Sequence, residues 1–228
     1  MKSVARLLEH YRGECIIFAH ASLGYFLPTM SHVTYAVNGE SLGWHKDWEQ
    51  YVAPPVFAAE YYAGQCGFLG GSLFYQSDPV PVELGLAIAG VHGTTSVCGS
   101  WGLYPQRAER IRALADSFDT EHAEWIPYWD AKRGPFKPSD PDVLASAFVH
   151  RGKRALLLVT NWSDAPASGE IKVDWRALRM SPDSSVRYLN WNTPLLATDG
   201  RISVPVRPRS LAYVWIGAGA PRGASPDL

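Results

Sequence analysis

Cysteine is scarce in this chain, and the few present form no pattern. Cys15, Cys66 and Cys98 are an odd number without C-x-x-C spacing, which excludes a disulfide framework and a zinc knuckle. Each lies in or beside an apolar strand-like run, where a thiol behaves as a small buried hydrophobe. An excess of one charge is also missing. The 21 Lys and Arg stand against 22 Asp and Glu, for a net charge of -1 over 228 residues. That balance leaves no electrostatic footprint for nucleic acid or an anionic membrane surface, so neither is an expected partner. No apolar run reaches the ~20 residues of a membrane span. The first ten residues carry charges inside their apolar pattern, unlike the apolar core of a signal peptide. Seven histidines show neither H-x-x-x-H nor H-E-x-x-H spacing, so no metal is expected. Gly67-Phe68-Leu69-Gly70-Gly71 lacks the Lys and Ser/Thr of a phosphate loop, and Ser100 does not complete G-x-S-x-G. No cofactor is expected.

What is present is a change of register at Trp129-Asp130. Before it, apolar strand-like runs alternate with helix-like runs; after it come short β-type runs separated by turns. Strands are expected at Cys15 to Ala19, His32 to Val37, Gly67 to Tyr75 and Thr95 to Cys98. Helices are expected at Val56 to Tyr62, Pro81 to Ala89 and Gln106 to Phe118. A nearly continuous apolar strand such as Cys15-Ile16-Ile17-Phe18-Ala19 suits a parallel sheet covered on both faces. These steps are about half of the eight that a (β/α)₈ TIM barrel needs. The expected fold class is therefore α/β plus all-β: a partial TIM barrel, its C-terminal half, followed by an antiparallel β-sandwich. An open four-stranded α/β domain is the alternative for the first part. The expected divisions are a partial barrel and catalytic region at 1–130, a linker rich in Pro, Lys and Asp at 131–141, the sandwich at 142–217 and a disordered tail at 218–228.

In parallel-barrel architecture, chemistry sits just after the strands. Those positions hold His20 and Ser22, Asn38 and Glu40, Gln76 to Asp78, and Ser100 and Trp101, a set of polar groups and an indole suited to a neutral polyol. Cleavage of a glycosidic bond uses two carboxyl groups, roughly 5 to 9.5 Å apart according to stereochemistry. Glu40 is the first catalytic candidate, because Asn38-Gly39 can turn its carboxylate over the strand ends; a solvated turn residue is the competing reading. Asp78 is the second, against its role as an Asp-Pro turn opener. Trp44, Asp47 and Glu49 belong to a long polar and aromatic loop that could cover a substrate. With His20, Asn38 and Trp101 they form the expected sugar contacts.

At the junction, Ile111 to Phe118 runs into Asp119-Thr120-Glu121-His122-Ala123-Glu124-Trp125-Ile126-Pro127-Tyr128-Trp129, and Val143 to Val149 precedes Ala155 to Trp162. This resembles the last barrel helix, linker and C-terminal sandwich of large glycoside hydrolases, particularly the group similar to glycoside hydrolase family 123. The resemblance implies a glycosidase with a TIM-barrel catalytic domain and an accessory sandwich. It implies a carbohydrate substrate, and a partner for Glu40 that could lie upstream. A non-catalytic carbohydrate-binding or structural fragment is the second reading. A half-barrel is further expected to pair with an N-terminal half or to self-associate through its sheet edges. The compartment, sugar and linkage stay open.

Overall fold

The computed structural model describes residues 6, 8–10, 17–20, 33–38, 53–60, 69–74, 82–98, 105–130 and 132–221. Its contacts divide the chain into two compact units, residues 1–101 and 102–228. The described strands form three sheets, one parallel and two antiparallel, and none of them closes into a barrel among the described residues.

The first unit is built on β1 (Phe18–His20), β2 (Tyr35–Asn38), β3 (Leu69–Phe74) and β4 (Thr95–Cys98), paired in parallel in that order. Consecutive residues Ala36 and Val37 of β2 are both buried, as in a strand covered on two faces. Helix α1 (Pro54–Glu60) begins at a proline, whose missing N–H costs nothing in a first helical turn. Helix α2 (Val82–Val91) is apolar almost all round, and residues 84–89 are buried while it packs on β3 and β4. It stops at Gly93, whose φ of +66° favours glycine, with Gly93 N donating to Gly90 O and Thr94 N to Ala89 O.

His92 joins the two helices. Its ring lies 4.7 Å from that of Phe57, Nδ1–H donates to Ile88 O at 2.7 Å, and Nε2 lies 3.4 Å from Pro54 O. Both carbonyls favour the cation, but burial outweighs them and pushes the imidazole down to about 4. Below the ordinary histidine value of 6.5, the unfolded chain then binds a proton that the folded chain refuses. The stabilising difference is complete above about 6.5 and is lost as the pH falls toward about 4, where the loss amounts to about 3 kcal/mol. The first unit should weaken by that amount over this window, and His92→Phe should flatten the dependence. Urea denaturation at a series of pH values checks this, and an equally steep dependence in the variant would remove His92 as its source.

The second unit opens with α3 (Pro105–Phe118), whose Ile111, Leu114, Ala115 and Phe118 fall at i, i+3, i+4 and i+7. It continues through β5 (Glu124–Ile126), β6 (Phe136–Pro138), β7 (Val143–His150), β8 (Arg154–Asn161) and β9 (Ala167–Val173). A short helix α4 (Trp175–Leu178) leads to β10 (Val186–Tyr188), β11 (Thr193–Leu195), β12 (Ala197–Thr198), β13 (Arg201–Val206) and β14 (Ser210–Gly217). One antiparallel sheet has the order β11-β10-β14-β8-β7-β5 and the other β12-β13-β9-β6. Strand β13 alternates exposed and buried residues, so its sheet has one face in solvent. Every residue of β14 is buried, and its Ala212, Val214 and Ile216 enter the core with Leu157, Ile171 and Val204.

The end of α3 is fixed to the six-stranded sheet by a small aromatic and cationic group. Phe118 is fully buried and meets Trp215 edge-on, with centroids 5.1 Å apart. The Arg154 guanidinium lies over both rings, 5.2 Å from Phe118 and 5.6 Å from Trp215. Arg154 Nη2 donates to Phe118 O at 2.9 Å, and His150 Nε2 lies 3.1 Å from both Phe118 O and Asp119 O. The carbonyls left over at the helix end are thereby satisfied.

Three of the expected divisions can be set beside the described residues. The stretch 131–141 is not a bare linker, because β6 pairs antiparallel with β9 inside it. The region 1–130 also includes α3 and β5, which lie in the second unit, and β5 pairs with β7. Both strands have three residues, too few for alternation to stand out from sequence. Of the expected tail, residues 218–221 are described and Trp215 Nε1 donates to Ala218 O at 3.1 Å; residues 222–228 lie outside the described residues.

Candidate functional site

The carboxyl ends of the parallel strands are where the sequence directs attention. Two of the expected contact residues are described there. His20 is the last residue of β1 and is exposed, and Asn38 is the last residue of β2. Pairing sets His20 level with Val37, so Asn38 stands one residue further along. Glu40, Trp44, Asp47, Glu49, Asp78 and Trp101 lie outside the described residues.

The register also assembles a row that sequence reasoning missed. Asn38 pairs with Ser72, and Ser72 with Ser96, which places an amide residue and two hydroxyl residues at one level across β2, β3 and β4. One step toward the amino end, the row reads Val37, Gly71 and Thr95. Barrel chemistry is expected at residues following each strand, whereas Ser72 and Ser96 lie within strands. The available signal was the polar residue at the centre of Gly70-Gly71-Ser72-Leu73 and of Thr95-Ser96-Val97.

On β1 and β2, Phe18 and Tyr35 occupy paired positions with rings stacked 5.5 Å apart at 16°. Phe18 remains 59% exposed, a large apolar surface on the strand at the end of the sheet order. His20 and Phe18 are alternate residues of that strand and lie on the same face.

In the second unit, charge is held in local pairs. Arg151 Nε and Nη2 donate to Glu124 Oε2 and Oε1 at 2.7 and 3.0 Å, a two-point contact that holds the Glu124 carboxyl below the usual range. Asp119 Oδ1 accepts from His122 Nδ1 at 2.6 Å, which lowers the carboxyl and raises the imidazole. Both of those groups are surface residues of the turn after α3.

Comparison with known proteins places this architecture. Residues 107–190 match the family model described as glycoside hydrolase 123, C-terminal domain. No curated protein matches the chain. Among solved structures, an Anoxybacillus alpha-amylase is similar with a TM-score of 0.60 at 8% identity, over 96% of this chain and 56% of that one. The alpha-amylase from Geobacillus thermoleovorans, complexed with acarbose, gives a TM-score of 0.58 at 7% identity, over 94% and 56%. A GH30 endoxylanase from Clostridium papyrosolvens C71 gives 0.50 at 11% identity, over 95% and 60%. Identities this low carry fold alone, and the chain spans less than two thirds of each of these structures. Through residues 107–190 the chain is similar to the C-terminal domain of glycoside hydrolase 123, as its junction residues implied, and in fold it resembles glycoside hydrolases.

Proposed function

We propose that this chain is the C-terminal part of a glycosidase, comprising half of a (β/α)₈ barrel and the sandwich that follows it. The observation that carries the reading is the arrangement of the four parallel strands. They run in sequence order, and their carboxyl ends are staggered across the sheet. Taking His20, Val37, Gly71 and Thr95 as one level, β1 ends there, β2 ends one residue beyond it, and β3 and β4 end three residues beyond. The rise averages about one residue per strand, the rise that eight strands with a shear of about 8 require. An open sheet of an ordinary α/β domain has no need of this progression.

In this reading the strand ends contact a carbohydrate through His20, Asn38 and the added polar row. Trp101 and Trp44 supply flat apolar faces, and Asp47 and Glu49 contribute from the covering loop. Glu40, two residues after the end of β2, acts as acid/base or nucleophile, and Asp78 is the second acidic candidate. The partner of the half-barrel is an N-terminal half or a second copy meeting its sheet edges. The test is hydrolysis of a panel of aryl glycosides by the native chain and by Glu40→Gln. Turnover that Glu40→Gln leaves unchanged would overturn the assignment.

A second reading is favoured by one observation, that the family match falls on residues 107–190, within the second unit. It makes the chain a carbohydrate-binding or structural part of such an enzyme without a complete carboxylate pair. Retention on an oligosaccharide column with no turnover of any aryl glycoside would establish it.

A further inference from the structure

We infer that a cleft on the sandwich binds a sulfate or phosphate group carried on a glycan. The cleft has a volume of about 390 Å³ and is lined by Arg151, Asp174, Arg176, Ala177 and Arg179. Its walls come from α4, the residue capping α4, and the turn between β7 and β8. Those walls are rigid. Trp175 and Leu178 of α4 are buried in the sandwich core, Gly152 N of the turn donates to Leu178 O at 2.8 Å, and Arg151 Nη1 donates to Ala177 O.

The charges of the cleft do not cancel. Glu124 offsets Arg151 through the two-point contact described above. The Asp174 carboxylate is engaged in capping α4, accepting from Ala177 N at 2.9 Å. Arg176 and Arg179 are both exposed, and neither guanidinium makes a hydrogen bond or ion pair with the described residues. The lining therefore keeps a net positive charge and two guanidinium groups with unused donors, which suits a compact anion with several oxygens.

The backbone carries a second sign of the same function. Arg179 has φ +56° where α4 ends, with its N–H donating to Arg176 O, and Met180 N donates to Trp175 O. Glycine is the usual residue at such a position, and a side chain there is disfavoured. The arginine is thus held on the rim at the expense of stability, as happens where a side chain serves binding. The choice of a glycan as carrier rests on the glycosidase-related reading above. The anion site itself rests only on the sandwich.

Native gels of the full chain containing dextran sulfate, phosphomannan or neutral dextran test the inference at low and moderate salt. Retardation is expected in one or both charged polymers and not in neutral dextran. The apparent dissociation constant should rise about tenfold in R176A/R179A. It should stay within about twofold in R112A/R207A, which removes two exposed charges elsewhere. Arg179→Gly should raise the unfolding temperature while weakening retardation. The inference is overturned by equal retardation in neutral dextran, by none in either charged polymer, by equal losses in the two double variants, or by a stabilised Arg179→Gly that binds undiminished. Stabilisation by inorganic sulfate without polymer retardation would overturn the glycan carrier. Since the readout is binding, this inference can fail while Glu40-dependent turnover stands, and the reverse.

Discussion

Replacing Trp215 by alanine is expected to destabilise the second unit by about 4 kcal/mol, the largest stability effect foreseen here. The indole is fully buried near the centre of β14, and it is the surface against which Phe118 closes the end of α3. Its loss removes one of the largest buried side chains and opens a cavity that two paired strands, β8 and β10, hold apart. The ring also leaves Arg154 over Phe118 alone. Arg154→Met should cost less, about 1 to 2 kcal/mol, because His150 Nε2 still reaches Phe118 O. Urea denaturation with hydrogen exchange at β8 and β14 amides measures both variants. A loss below about 1 kcal/mol for Trp215→Ala would mean that α3 is not anchored through this contact.

Glu40→Gln is expected to reduce turnover of an aryl glycoside about a thousandfold, with little change in KM. Glutamine keeps the shape and hydrogen-bonding reach of the side chain but can neither transfer a proton nor attack an anomeric carbon. An activated leaving group separates these roles. If Glu40 is the acid, an aryl group that departs without protonation should restore much of the rate, whereas a missing nucleophile cannot be bypassed in this way. Asp78→Asn, made in parallel, shows whether the second carboxyl is in this chain. A drop in Asp78→Asn as deep as that in Glu40→Gln places both in one site; undiminished turnover assigns the second role to another segment.

The fold was readable from sequence where periodicity was strong. The apolar spacing of Ile111, Leu114, Ala115 and Phe118 marks α3, and the alternation of Arg201 to Val206 marks β13, because each pattern extends over a full face. Short elements escaped for lack of length. Strands β5, β6, β11 and β12 have three or fewer residues, and their pairing comes from neighbouring strands. Helix α4 is set by the Asp174 cap and the burial of Trp175 and Leu178, which a four-residue segment does not disclose. Of the candidate site residues, only His20 and Asn38 fall among the described residues. The row formed by Asn38, Ser72 and Ser96 depends on register between strands distant in sequence, which no single segment contains.

The position of β14 has a consequence for biosynthesis. It lies between β10 and β8, so the last of the described strands to be made fills the middle of the sheet. While a ribosome is still translating residues before Ser210, β8 and β10 are separate ribbons with unfilled edges and an exposed apolar face. The nascent second unit therefore has to remain unassembled until Ser210–Gly217 emerges, and during that interval chaperones have their clearest target. Nonsense products that stop short of this strand should be cleared as unfolded chains and not persist as a smaller sandwich.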